Sequence, residues 1–478
     1  MQIVELTQAS SIGFDQNNRV LPKSFLLKYK NLFFLFSLLS ILAFSIYAES
    51  VAIFACYILF AGIGTSLVIP LGRTGVKTFI IVYSISSVCA ILFYYLFQFQ
   101  YGAPYQGGGS DSLAYETFAA EIKDIVHIYD SETIGQTINE IYHNSKGYIY
   151  LISLLMRLSD LLDGYHPMIA RLFNAALLGG CSVITYSIAK KISLSLKQAF
   201  DCAIVTGLFP IMIFVGVQTL RDIPIAFIML LSVHFSISLI KSNGFFKSIF
   251  LILLFTPLVL VILEFRLTNA INIGIVLLAA ISVKMFSIRN ISNMQILFAV
   301  MCLYGLYNFL LRYDLPLFID LIGRLDSSQS ALSEGLDRAG EGGLSLILFN
   351  LPVPLNYFGS LFYSFITPLP IIYPDNIDWN FLSFGTIYQF VFIPFIFVGL
   401  KNTWRSGLML PLLVMFLICF GGYVFGSFTF RHITYIVPFA AIYGVIGYEK
   451  YKKQRWVIWP SMFGVLVFLI LAYYAIKL

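Results

Sequence analysis

The chain has 478 residues, of which 59% are hydrophobic and only 11% charged, and its mean hydropathy is +0.86. A soluble domain is typically about a quarter charged, so this composition excludes a water-soluble globular fold. The net charge of +6 gathers at the ends of apolar blocks, which orients a membrane chain rather than marking a nucleic-acid binder.

Residues 1–30 are polar, carry Arg19, Lys23, Lys28 and Lys30, and lead straight into an apolar block, so no cleavable signal peptide is expected. Blocks able to span about 30 Å of hydrocarbon follow at 31–48, 50–71, 78–98, 168–189, 198–218, 223–240, 246–263, 268–287, 295–311, 381–400, 406–428, 432–447 and 456–476. The alternating ten-residue strands of a membrane barrel are absent, so the spans are expected to be helices. The expected fold is all-α, a polytopic transmembrane bundle of about 12–15 helices, with residues 1–478 forming a single transmembrane domain.

Charge orients the bundle. Short connections with Arg73/Lys77, Lys190/Lys191/Lys197, Lys241/Lys247, Lys284/Arg289, Lys401/Arg405 and Lys450/Lys452/Lys453/Arg455 are expected on the cytoplasmic side. The long loop 99–147 holds seven acids against Lys123 and Lys146, and the loop 312–343 holds six acids against Arg312, Arg324 and Arg338. Both are expected on the outer face and to carry interfacial helices. An odd number of crossings must separate the first loop from Lys190/Lys191. If 168–189 crosses, the short stretch 148–162, interrupted by Arg157, does not, and it reads as an interfacial or re-entrant helix. The stretch 344–370, with Pro352, Pro354, Pro368 and Pro370, reads as a broken hairpin dipping in from outside. The six cysteines all fall in apolar segments without metal-ligand spacing and read as small buried hydrophobes.

The first outer loop opens Gly107-Gly108-Gly109-Ser110-Asp111. Three glycines permit conformations and close approaches closed to other residues. Leu113, Phe118, Ala119 and Ile122 then predict a helix lying on the membrane surface. The plain reading of Asp111 is a cap for that helix, with Glu116 and Glu121 on its wet face; the chemical reading is a carboxylate at the membrane boundary that takes a proton from a hydroxyl nucleophile. Thr219-Leu220-Arg221-Asp222-Ile223-Pro224 opens another span, with Pro224 in the first turn where its missing N–H costs nothing. Arg221 there is a candidate phosphate ligand, and Asp222 a candidate catalytic or orienting carboxylate. Arg266, Arg324 and Arg431 join them as outer-face guanidiniums, which match phosphate bidentately and stay charged when half buried. Tyr115, His143 and His432 are candidate contacts to a sugar or acceptor. His127, His143 and His166 lie near one another in sequence but match no ligand motif, so no metal or other cofactor is expected, with a divalent cation kept as the alternative.

From residue 107 to about 240 the chain resembles the GT-C superfamily of membrane glycosyltransferases. The resemblance rests on Asp111, the aromatic stretch Tyr148-Ile149-Tyr150-Leu151, the turn Tyr165-His166-Pro167, the span opening Arg171-Leu172-Phe173-Asn174, the basic turn Lys190-Lys191 and Leu220-Arg221-Asp222. Phe430-Arg431-His432-Ile433 near the C-terminus also looks like that family. The acidic doublet usual in the family's first loop is replaced by Ser110-Asp111-Ser112. The arginine-bearing loop 312–343, with Arg324 and Gly335, is similar to bacterial O-antigen and exopolysaccharide polymerases. The resemblance implies a polyprenyl-phosphate- or pyrophosphate-linked sugar as substrate, membrane lipid and other polysaccharide-assembly proteins as partners, no nucleic acid, and a multi-pass protein of the bacterial inner membrane acting at its periplasmic face. A lipid-linked sugar transporter or flippase is the non-enzyme alternative. It is opposed by spans almost free of ionisable groups and by the absence of internal repeats. A membrane acyltransferase would want a His or Asp/His set near the cytoplasmic face, which is not seen.

Overall fold

A computed structural model describes residues 25–109, 111–138, 145–286, 376–423 and 430–477, with isolated positions between 352 and 372. Among these the secondary structure is helical throughout. The first part runs α1 (Phe25–Tyr47), α2 (Val51–Val68), α3 (Arg73–Tyr101), then α4 (Asp111–Lys123), α5 (Ser131–Thr137) and α6 (Lys146–Ser159). There follow α7 (Pro167–Lys191), α8 (Leu196–Leu208), α9 (Pro210–Gly216), α10 (Asp222–Lys241), α11 (Phe245–Leu253), α12 (Phe255–Phe265) and α13 (Leu267–Met285). The last part holds α14 (Ile377–Thr403), α15 (Leu410–Gly422), a 3-10 turn Phe430–Tyr435, α16 (Val437–Lys450) and α17 (Arg455–Lys477). Eight helical stretches among the described residues are long and apolar enough to cross a membrane, or nine if the bent pair α8/α9 is one span. The expected span 295–311, the loop 312–343 and most of the hairpin 344–370 lie outside the described residues.

The bundle is organised around α7. Its apolar window is 78% buried, against 22% for α1 and for the α11/α12 stretch, so α7 is the central column and those helices form the rim. Close packing against it needs small residues, because lipid tails give no hydrophobic drive between helices and backbones gain by approaching. A Cβ at Gly179 would come within 2.9 Å of the Phe79 ring of α3, and one at Gly180 within 2.6 Å of the Phe227 ring of α10. α14 and α16 meet more closely still: a Cβ on Gly399 would run into the Tyr443 carbonyl, and one on Gly447 into that of Phe395.

Two stretches depart from straight spans. The expected span 198–218 breaks between α8 and α9 with a bend of 52°. Pro210 has no N–H to give and pushes Phe209 to extended geometry (φ −62°, ψ 130°). The stretch 148–162 becomes α6, which at 14 residues is too short to cross. Arg157, which interrupts that stretch in sequence, has a structural use: its Nε donates to the Lys123 carbonyl at 2.7 Å and its Nη2 to the Val126 carbonyl, closing the C-terminal end of α4.

Candidate functional site

α4 begins where the glycine run ends. Gly107, Gly108 and Gly109 take φ of 60°, 79° and 121°, values that side-chain-bearing residues rarely adopt, and so turn the chain from α3 back into α4. Asp111 opens that helix, and its Oδ2 accepts from Arg431 Nη1 at 2.7 Å. Asp111 thus has a side-chain partner 320 residues away, so it does more than cap α4. Arg431 comes from the 3-10 turn ahead of α16, and the same turn delivers His432 and Tyr435. The Tyr435 hydroxyl donates to Oδ1 of Asp222 at 2.6 Å, and Asp222, in the first turn of α10, is only 5% exposed. Asp222 and Asp111 together hold the Arg431 guanidinium charged: burial opposes ionisation and the two carboxylates outweigh it.

Arginines close the other side. Arg266 lies extended between α12 and α13, and its Nη1 donates to Nε2 of His432 at 2.8 Å. A guanidinium cannot accept, so Nε2 carries the lone pair and the imidazole proton sits on Nδ1. Burial, reinforced by Arg266, pushes His432 down to about 3, so the ring is neutral at physiological pH. Arg221 donates from Nη1 to Ser145 Oγ and, at 3.2 Å, to the Phe265 carbonyl. Tyr115, one turn beyond Asp111 on the same face of α4, is buried against Tyr148 and lies in the field of Arg221, Asp111 and Asp222. The cluster therefore gathers three guanidiniums and two carboxylates at one end of the bundle. Beneath the 3-10 turn lies an apolar cavity of about 170 Å³ between α14, α15 and α16, lined by Phe392, Ile396, Phe416, Phe420, Ile433 and Ile436 among others.

Glu116 stands apart from this cluster. Five residues at about 100° each turn it well away from the Asp111 face. Its oxygens accept from Tyr105 Oη at 2.6 Å and Thr219 Oγ1 at 2.8 Å, and burial raises its affinity for a proton. The nearby cation is Arg171 of α7, fully buried between the rings of Tyr94 and Tyr105 and donating to the Pro104 carbonyl. One turn on, Asn174 Nδ2 donates to the carbonyls of Gln218 at 2.7 Å and Leu220 at 2.9 Å. Glu116, Arg171 and Asn174 thus hold the turn before Arg221–Asp222 and the chain before Asp111 at one level.

The structure brings together Asp111, Asp222, Arg221, Arg266, Arg431, Tyr115 and His432 of the sequence candidates. It turns Glu116 into a separate buried network. Arg324 and His143 lie outside the described residues. His166 is engaged elsewhere: its Nδ1 accepts from the Met168 N–H at 3.1 Å and caps α7. Tyr435 and Ser145 were not singled out from sequence; Tyr435 lies four residues after Arg431, inside the apolar block expected at 432–447. No family model, curated protein or solved structure matches the chain.

Proposed function

We propose that the chain is a membrane glycosyltransferase that uses a polyprenyl-phosphate- or pyrophosphate-linked sugar or oligosaccharide. In this reading it works at the periplasmic face of the bacterial inner membrane in assembly of a surface polysaccharide, by repeat-unit polymerisation or by single-sugar transfer. The observation that carries the reading is the convergence of Asp111, Asp222, Arg221, Arg266 and Arg431 at one end of an apolar bundle. Guanidiniums in excess over carboxylates favour a polyanionic group, and the apolar cavity under Ile433 and Ile436 suits the isoprenoid tail of the same molecule.

The chemistry follows from these groups. The lipid phosphate takes hydrogen bonds from Arg431 and its neighbours, which releases Asp111 from its ion pair. An acceptor hydroxyl then attacks the anomeric carbon. Its oxygen forms the new C–O bond, its proton passes to the Asp111 carboxylate, and the old anomeric C–O bond breaks with its electron pair going to the lipid phosphate. That leaving group is already anionic, so it needs cations rather than a proton donor, and preorganised guanidiniums act most strongly where charge develops. Asp222, fixed by Tyr435, keeps Arg431 in place.

The test is purified protein in detergent with a labelled polyprenyl-linked sugar and a hydroxyl acceptor. Wild-type protein is expected to form the glycoside and release polyprenyl phosphate, with Asp111→Asn slower by about 10²-fold or more. Movement of the substrate across proteoliposomes without any bond cleavage would assign a flippase and overturn the reading.

A further inference from the structure

The opposite end of the bundle, where α7, α10 and α13 finish and α11 begins, carries a different charge problem. Lys191 Nζ donates to His234 Nε2 at 2.8 Å and to Ser238 Oγ, both neutral groups on α10. Lys241 donates to the Lys191 carbonyl. Lys284 donates to the carbonyls of Leu239 at 2.9 Å and Ser242 at 2.8 Å. The charges acting on Lys191 are those of Lys241 and Lys247. The C-terminal carbonyls of α7 and α10 and neutral side chains of α10 hold Lys191, Lys241 and Lys284, and no carboxylate among the described residues pairs with them. On the other half of the same end the balance is different: Lys452 pairs with Glu449 at 3.7 Å, and Asp201 feels Lys197 and Lys452. The corner at α7, α10, α11 and α13 thus gathers several ammoniums with no carboxylate among them.

That side is also apolar on its outside. Phe246 is 85% exposed, and Phe245, Phe250, Met285 and Phe286 around it are exposed as well. A group that fits must bring negative charge to the lysines and hydrocarbon to the phenylalanines. A soluble phosphate supplies only the first.

We propose that this corner is a binding site for an anionic phospholipid, its phosphodiester headgroup held by Lys191, Lys241, Lys247 and Lys284 and its acyl chains lying along α11. Basic pockets between transmembrane helices are known to take such headgroups. The proposal rests on no assumption about transfer chemistry at the other end, and Lys241 and Lys247 are exposed, so both can be changed without opening the core.

The test is native mass spectrometry of the full chain in a non-ionic detergent with phosphatidylglycerol or phosphatidylcholine added, beside melting curves in each lipid. Phosphatidylglycerol is expected to be retained preferentially and to raise the melting temperature. In the double variant Lys241→Gln/Lys247→Gln the retention should weaken about thirtyfold while the lipid-free melting temperature stays near wild type. Equal retention of the two lipids by wild type would overturn the proposal, as would unchanged phosphatidylglycerol binding in the double variant. Stabilisation by inorganic phosphate equal to that by phosphatidylglycerol would also overturn it, because the site would then be a free-anion site without a lipid component.

Discussion

Changing Asp111 to Asn probes the stability and the chemistry of the site separately. In the structure Asp111 and Arg431 form a hydrogen-bonded ion pair of 2.7 Å with side chains 31% and 28% exposed. A hydrogen bond to a charged group contributes about 1.5–3 kcal/mol, and the residual exposure places this pair near the lower value. Asparagine keeps an acceptor oxygen of the same reach but a neutral one, roughly half as strong, so Asp111→Asn should cost about 1 kcal/mol of stability. Arg431→Gln should cost more, up to about 3 kcal/mol, since it also takes from the buried Asp222 the stronger of the two arginines acting on it. Combined, the two changes should cost less than their sum by about 1 kcal/mol, the coupling of the pair. The assay is chemical or thermal unfolding of the wild type, two single variants and the double variant, with glycosyl transfer per folded molecule measured on each. Additive stabilities would refute the ion pair. Wild-type turnover in Asp111→Asn would refute the base assignment whatever the stabilities show.

Glu116→Gln should reverse that pattern, because it removes the countercharge beside the buried Arg171: stability is expected to fall by about 3–5 kcal/mol with turnover per folded molecule nearly kept. Adding Arg171→Met should recover most of the loss, and a large drop in turnover without loss of stability would return Glu116 to the chemistry. His166 is pushed down to about 4, by burial first and then by Arg171, and its neutral Nδ1 caps α7. Its folded value lies below its unfolded one, so the unfolded chain binds more protons between them and stability is lost as pH falls from about 6.5 to 4, by up to ~3 kcal/mol. Melting curves of His166→Asn should be flatter through that window than those of wild type, and equal slopes would refute the cap. Gly109→Ala should destabilise by about 1–3 kcal/mol, because φ is 121° and the new methyl would lie 2.9 Å from Leu113; an unchanged melting temperature would show that the turn adapts.

The helical nature of the described apolar blocks, and the end of the bundle to which Asp111, Arg221, Arg266 and Arg431 belong, were legible in the sequence, because an apolar block has two ends and polar residues mark them. That is why Arg221, Arg266 and Arg431, each next to the boundary of an apolar block, and Asp111, in the acidic loop after the third block, prove to lie at one end. Which of them pair was not legible: Asp111 meets Arg431 across 320 residues, and nothing local to either names the other. Glu116 could have been separated from Asp111 by helical period alone, whereas Asn174 could not have been linked to the 218–220 carbonyls, since it sits inside an apolar span like any packed amide. The bend at Phe209–Pro210 was written in the proline, but the continuous run of apolar residues across it masked the break.

The tight seating of α14 on α16 has a consequence for motion. Tyr101, the last residue of α3, donates to both oxygens of Asp378 in the first turn of α14, at 2.8 and 2.9 Å. Gly399 and Gly447 then bind α14 to α16, and the turn bearing Arg431 leads directly into α16. The chain entering Asp111 and the chain carrying Arg431 are therefore braced to the same frame by backbone-distance contacts. Opening the pair for a ligand is left to side-chain rotation, a picosecond-to-nanosecond event, rather than to helix rocking on microseconds to milliseconds. The clock of such a site would be set by the arrival and departure of its lipid-borne substrate.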